Sequence, residues 1–167
     1  HGFSTAALFL VLGFLVKRRG SAQVDAFGGV QKTAPVLAGM FLFAGLATMS
    51  LPGISNFIGE FMVLAGAWSR HPVYVAVATL GMVLGAVYIL LTYKRTMTGP
   101  LTQATKAHVT TDLTGLEKAA LTPLVILLLV FGFFPRPMLH VIEPVAHQTM
   151  SIVGVTDPAP AAEEGVK

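Results

Sequence analysis

The sequence lacks cysteine altogether and has few charged residues. Of its 167 residues, 11% are charged and 54% are apolar, and the mean hydropathy is +0.73. The absence of cysteine excludes a disulfide-stabilised scaffold, a zinc–thiolate site and an iron–sulfur cluster. A soluble domain has roughly 25% charged residues, and a disordered chain has low hydrophobicity. The composition therefore predicts an integral membrane protein.

Four apolar stretches are long enough, or nearly so, to cross a bilayer as helices, which takes about 20 residues. They occupy residues 1–16, 33–68, 72–94 and 115–134. Thr114 and Glu117 have the spacing of a capping box before the fourth stretch, and Pro135 and Pro137 follow its apolar run, where they would stop the helix. The pattern predicts an all-α, polytopic fold with about four transmembrane helices.

Two segments follow the fourth stretch. Apolar residues recur through 138–153, which predicts a short helix on the outer membrane surface. The Pro, Ala and Glu composition of 156–167 predicts a disordered tail. We therefore expect 1–155 to form a single transmembrane domain.

The first apolar stretch starts at residue 1 without a methionine, and its basic residues follow the apolar run. A signal peptide has its basic residues before the apolar core. We therefore expect the chain to be a C-terminal fragment of a larger membrane protein, with an export signal as the alternative.

Basic residues are distributed unevenly between the two sides that alternating spans create. Arg70, Arg136 and Lys167 fall on one side. The other side holds Lys17, Arg18, Arg19, Lys32, Lys94, Arg95, Lys106 and Lys118. Because cytoplasmic loops are enriched in Lys and Arg, we expect loops 17–32 and 94–114 in the cytoplasm and the C-terminus outside. This distribution of basic residues accounts for the net charge of +3, so the charge does not indicate a nucleic-acid partner.

The second stretch has the wrong length for a regular helix. At about 1.5 Å per residue it would extend about 54 Å, which is too long for one crossing and too short for two. Pro52 and Gly53 lie near its centre and disfavour a continuous helix. We expect a helix broken at 50–56, an arrangement that recurs in ion-transporting folds. A proline kink is the alternative.

Glu60 is the only charged residue of the second stretch, and its distance from Arg70 predicts a position near the bilayer centre. A carboxylate there costs about 2.5–3.5 kcal/mol. Apolar surroundings disfavour the charged form, whereas the N-terminus of the second half-helix favours it. Under these opposing influences Glu60 can exchange a proton, so we interpret it as a proton-relay group. A protonated glutamate in a helix interface is the alternative.

His1 is the second candidate, about 24 Å along the helix from Lys17. Imidazole exchanges protons near neutral pH, although a histidine in an apolar helix also serves as a packing or hydrogen-bonding residue. The sequence has no spacing typical of metal ligands and no nucleotide-binding glycine motif. We expect neither a metal nor a cofactor on this chain.

Three segments resemble a known family. They are 1–9 (HGFSTAALF), 51–61 (LPGISNFIGEF) and 132–139 (GFFPRPML). In order and spacing they resemble the C-terminal third of the subunit M family of NADH-quinone oxidoreductase, an antiporter-like component of respiratory complex I. The glutamate at position 60 is typical of this subunit, because related subunits generally have lysine there.

The resemblance implies a fold of about fourteen helices, of which this chain would supply helices eleven to fourteen, with the break in helix twelve. It implies that Glu60 is the carboxylate of the outward half-channel and that His1 lies on the central polar axis. It also implies that the remaining channel groups belong to earlier helices.

These inferences predict a proton-translocating subunit of NADH-quinone oxidoreductase in the bacterial inner membrane. By the resemblance, NADH, FMN, iron–sulfur clusters and quinone are bound by other subunits. The expected partners are the other membrane subunits of complex I, above all adjacent antiporter-like subunits, and lipid. The alternatives are a subunit of a Mrp-type cation/proton antiporter or a membrane-bound hydrogenase, or a non-transporting membrane anchor or assembly protein.

Overall fold

The computed structural model describes residues 1–154, and these residues contain helices and no strand. The helices are α1 (Gly2–Arg19), α2 (Pro35–Thr48), α3 (Ser55–Trp68), α4 (Pro72–Met97), α5 (Gln103–His108), α6 (Gly115–Phe133) and α7 (Arg136–Val153). The predicted all-α fold is confirmed. The tail predicted at 156–167 lies outside the described residues.

The chain forms two compact units, of which the first is His1–Phe133 and the second begins at Phe134. In the second unit, α7 follows Pro135 and ends at Val153, and the next residue, Gly154, adopts a left-handed conformation (φ 71°). The exposed apolar side chains of α7 include Val141, Val145 and Ile152. A position of this helix on the membrane surface stays a prediction.

Two helices in residues 1–154, α4 and α6, are long and apolar enough to cross a membrane. The segment 24–32 and α2, bent by 116°, would add a third span if they are counted as one. Two of the expected spans are not among these helices. The helix of the first, α1, ends in three basic residues, and the break divides the second into α2 and α3. These two helices have 14 residues each, or about 21 Å, which is shorter than the bilayer core.

The break between α2 and α3 is complete, so a proline kink is excluded. Ser50 has a φ of 57° and Gly53 a φ of 93°, both in the left-handed region that interrupts a right-handed helix. Because α3 begins at Ser55, the break covers 49–54 rather than the predicted 50–56. Asn56 therefore lies in the first turn of α3 instead of the break, and it is buried there.

Helix ends converge at the basic end of α1. The Arg18 guanidinium donates to both carboxylate oxygens of Glu117, at 2.9 and 2.5 Å. It also donates to the carbonyl oxygens of Phe14, Thr111 and Asp112. All five N–H groups of the guanidinium are therefore paired. This network fixes the C-terminal end of α1 to the segment that leads into α6.

Two carboxylates in the same region cap helices. Glu117 Oε2 accepts from the Thr114 backbone N–H at 2.8 Å, and Thr114 Oγ1 accepts from the Glu117 N–H at 3.3 Å. The predicted capping box is therefore confirmed. The Asp112 carboxylate accepts from the backbone N–H groups of Val36 and Leu37 at 2.8 and 2.9 Å, so it caps α2. No local pattern in the sequence indicated this long-range cap.

Replacement of Arg18 by methionine is expected to destabilise the first unit. The side chains of Arg18 and Glu117 are 8% and 13% exposed, so the pair is partly buried and its loss should cost less than the roughly 3–5 kcal/mol of a fully buried pair. We expect a lower midpoint of thermal unfolding for the detergent-solubilised protein. Lys17→Met is the matched control, since Lys17 is adjacent and exposed. Equal midpoints for the two variants would contradict this role of Arg18.

Candidate functional site

The N-terminal ends of α1 and α3 meet in a small polar cluster, which consists of His1, Ser4 and Asn56. The Asn56 amide Nδ2 donates to Ser4 Oγ at 2.9 Å and lies 3.5 Å from His1 Nδ1. The Ser4 hydroxyl donates to the His1 carbonyl oxygen at 2.9 Å. Ser4 is fully buried and Asn56 is 7% exposed. The cluster therefore links His1 directly to the first turn of the helix that carries Glu60.

Two buried polar atoms beside the break have no hydrogen-bond partner among the described residues. They are Asn56 Oδ1 and Ser50 Oγ. Buried polar atoms are nearly always paired, and an unpaired one costs about 1–3 kcal/mol. Ile54, the residue that precedes α3, also provides no side-chain cap. Hydrogen-bonding capacity is thus concentrated at the start of α3.

Glu60 is half-buried and lines a cavity of about 490 Å³ between α3, α4 and the end of α2. The lining residues are Thr48, Met49, Gly59, Glu60, Val63, Leu64, Ala78, Gly81, Met82, Gly85 and Tyr88. Besides Glu60, Thr48 and Tyr88 contribute hydroxyl groups. The Glu60 carboxylate forms neither a hydrogen bond nor an ion pair with any residue in 1–154, so it faces a cavity large enough for water.

A second cavity of about 350 Å³ continues along α3 and α4 towards the turn that joins them. It shares Val63, Leu64 and Ala78 with the Glu60 cavity and reaches His71. Its other lining residues are mainly apolar. The two cavities thus lie next to each other along α3 and α4, with Glu60 lining the first and His71 lining the second.

The structure does not bring His1 and Glu60 into contact. His1 is not a lining residue of the Glu60 cavity. The two residues are related through α3, since His1 contacts Asn56 and Glu60 lies four residues further on. Residues four apart lie on the same helix face. The two predicted site residues therefore both lie near the start of α3. His1 contacts Asn56 there, and Glu60 is on the next turn of the helix.

Helix α6 packs directly on the break. A Cβ atom at Gly132 would collide with the carbonyl group of Gly53 and lie 2.8 Å from Ile54 Cα, so only glycine permits this approach. One residue earlier, Phe131 stacks on Phe3 of α1 with 6.2 Å between ring centroids. Helix α6 therefore holds the break and the N-terminal half of α1 together.

Sequence reasoning gave Ser4 and Asn56 no special weight among the polar residues of the spans. The position of Asn56 four residues before Glu60 is a signal that could have identified it. The approach of Gly132 to Gly53 depends on tertiary packing, and nothing local indicates it. No group of three or more His, Asp or Glu residues that could hold a metal ion occurs in the part of the chain that the structure describes.

A broken helix with a carboxyl group beside the break is typical of membrane proteins that transport ions. A family described as "NADH:quinone oxidoreductase/Mrp antiporter, TM" matches residues 1–86. The chain belongs to this family, and it is a multi-pass membrane protein.

Two curated relatives are subunits of an oxidoreductase. NADH-quinone oxidoreductase subunit M of Mycobacterium tuberculosis is 47% identical over 166 residues, which are 99% of this chain and 30% of that protein. The Rickettsia felis subunit M is 39% identical over 141 residues, or 84% of this chain and 28% of that protein. The chain thus spans less than a third of their length.

A solved structure has the same fold. It is described as respiratory complex I from Thermus thermophilus with bound NADH. The TM-score is 0.77 at 32% sequence identity, and the match covers 87% of this chain and 30% of the other. The resemblance to complex I subunit M is therefore confirmed in both sequence and fold.

The contact of α6 with the break predicts that Gly132→Ala is destabilising. The added methyl group overpacks the contact with Gly53, which typically costs about 1–3 kcal/mol. Gly66→Ala is the matched control, because nothing lies within 4 Å of its Cβ position and alanine favours a helix over glycine. Thermal unfolding in detergent should show a lower midpoint for Gly132→Ala alone. A midpoint that rises in both variants would contradict the close approach.

Proposed function

We propose that this chain is part of a proton-translocating membrane subunit of NADH-quinone oxidoreductase, in which Glu60 and His1 are proton-relay groups. The observation that carries the proposal is the Glu60 carboxyl group, which faces a cavity of about 490 Å³ beside a broken helix. Ionisable groups within transmembrane segments are costly and typically mark ion or proton pathways. A carboxyl group without a fixed partner is free to bind and release a proton.

The names of the relatives support an oxidoreductase over an antiporter. The family description includes both classes, but the relatives from Mycobacterium and Rickettsia are named as subunit M of NADH-quinone oxidoreductase. The position of Glu60 beside the break also supports a transporting subunit over a simple membrane anchor. A Mrp-type antiporter or hydrogenase subunit would require a different set of partner subunits.

The arrangement of polar groups supports a pathway with two segments. In the first, protons reach the start of α3 through the polar cluster of His1, Ser4 and Asn56. In the second, Glu60 releases them into the cavities that continue towards His71. Because the cavity near His71 is apolar, water enters it less readily, and hydrophobic constrictions of this kind can gate conduction by dewetting. The chain would thus contribute the outward half of a proton channel.

The contacts at the basic end of α1 support the proposed sidedness. Arg18 binds Glu117 at the start of α6, and the Gly29 N–H donates to the Thr98 carbonyl oxygen just beyond α4. Three basic segments therefore lie at one end of the first unit. By the enrichment of Lys and Arg in cytoplasmic loops, this end faces the cytoplasm of a bacterium whose inner membrane holds the protein.

The redox chemistry would take place elsewhere in the complex. NADH, FMN, iron–sulfur clusters and quinone would be bound by other subunits, and adjacent antiporter-like subunits would be the nearest partners in the membrane. A change of charge or hydration in those neighbours would alter the protonation of Glu60 and thereby couple electron transfer to proton movement.

Glu60→Gln tests the proposal, because glutamine preserves the shape and hydrogen bonding of the side chain but cannot release a proton. We expect fewer protons taken up per NADH oxidised in inverted membrane vesicles that contain the assembled complex. Glu143→Gln is the control, since Glu143 is an exposed carboxyl group of α7, and it should preserve the ratio.

Assembly of each variant is measured by native gel electrophoresis, so that a transport defect is separated from a folding defect. Glu60→Asp keeps a titratable group and should retain part of the proton uptake. A wild-type ratio in a fully assembled Glu60→Gln complex would refute the relay role and favour a structural role in a membrane anchor.

A further inference from the structure

The contact between His1 and Asn56 is sensitive to the protonation of His1. Asn56 Nδ2 faces His1 Nδ1 at 3.5 Å. An amide nitrogen donates hydrogen bonds and does not accept them. The contact is therefore favourable only when Nδ1 has a free lone pair, which requires a neutral ring with its proton on Nε2. This orientation of the amide is compatible with a neutral imidazole ring.

The other atom of the same amide is without a partner. Asn56 Oδ1 is buried and forms no hydrogen bond with the described residues, although Nδ2 donates to Ser4 Oγ at 2.9 Å. A proton on His1 Nδ1 would face the N–H groups of Nδ2, so two donors would oppose each other. A half-turn of the amide would replace Nδ2 by Oδ1 and give this proton an acceptor.

We propose that Asn56 is a two-position hydrogen-bond switch that reads the protonation state of His1. In the first position, Nδ2 faces a neutral imidazole. In the second, Oδ1 accepts the N–H of a protonated imidazole. Asn56 is thus a positioning residue at the start of α3, and the inference rests on the proposed function in that it treats His1 as a relay group.

The first position requires a neutral ring with its proton on Nε2, whereas a proton on Nδ1, as in the charged imidazole, favours the second. Before protonation, rotation would place Oδ1 against the lone pair of Nδ1. After protonation, rotation lets Oδ1 accept the new Nδ1–H of His1. Nδ2 then takes the former place of Oδ1, so one amide atom is still without a partner. The Ser4 hydroxyl can accommodate both positions because a hydroxyl group donates and accepts. It now donates to the His1 carbonyl oxygen and can turn to donate to Oδ1.

Few other charges face this cluster. Helix α2, which packs against α1, has no titratable side chain. Helix α6, which also packs against α1, has Glu117 and Lys118 at the end that binds Arg18. Helix α5 has Lys106 and His108, and it leads into the segment that binds Arg18. On α3, Glu60 lies on the same face as Asn56.

The test is the titration of His1 in the assembled complex, reconstituted in vesicles and followed by infrared difference spectra as a function of pH. The imidazole band that is lost in His1→Gln identifies His1. In the wild-type protein, the carbonyl stretch of the Asn56 amide should shift together with this band, because Oδ1 gains a hydrogen bond. The amide signal should be absent from Asn56→Leu and from His1→Gln.

The substitution also predicts a shift in the titration midpoint. Leucine has a volume similar to that of asparagine but cannot accept a hydrogen bond, so Asn56→Leu should move the His1 midpoint down by about one pH unit. Asn56→Asp offers only acceptors and should move it up. If Asn56→Leu does not assemble, Asn56→Ala is used in its place. The response of the amide band in the wild-type protein can be measured even if neither variant assembles.

An unchanged midpoint in Asn56→Leu, or an amide band that does not respond when His1 titrates, would overturn the switch. These spectra do not measure proton transport. The amide switch and the proposed transport function can therefore be refuted independently of each other. Normal proton uptake in His1→Gln and Glu60→Gln would refute the proposed function even if the amide responds. Lost uptake in both variants with a silent amide would refute only the switch.

Discussion

The interruption between α2 and α3 is the constraint on which the rest of the first unit depends. A membrane offers no water to the backbone, so an irregular segment at membrane depth must be covered by protein or must line a wet cavity. The chain meets this requirement on two sides. Gly132 of α6 lies against the backbone at Gly53, and the cavity that contains Glu60 lies alongside the end of α2 and the body of α3.

The two ends of α1 meet opposite polar environments. At its basic end, Arg18 uses every N–H group, and Glu117 and Asp112 each also cap a helix. Such a fully paired network is rigid. At its other end, Asn56 contacts His1 and Ser4, and Asn56 Oδ1 has no partner among the described residues. The groups that we propose to change partners during proton transfer therefore lie away from the groups that hold the helices in place.

Much of this architecture was predictable because its signals are local. The capping box of Thr114 and Glu117 is a spacing of three residues, and Pro52 with Gly53 indicates a break, with a proline kink as the alternative. Glu60 was identifiable because one charge in a long apolar stretch is costly. The cap of α2 by Asp112, the approach of Gly132 to Gly53 and the contact of His1 with Asn56 join residues far apart in sequence. Only tertiary packing determines which distant partners meet.

The earlier start of α3 has a functional consequence. When Asn56 lies in the first turn, its side chain and that of Glu60 follow the same helix face, and both are close to the positive end of the helix dipole. Ile54 provides no side-chain cap that would offset the dipole. Under the proposed function, a change in the orientation of the Asn56 amide would therefore act on Glu60 along one helix face.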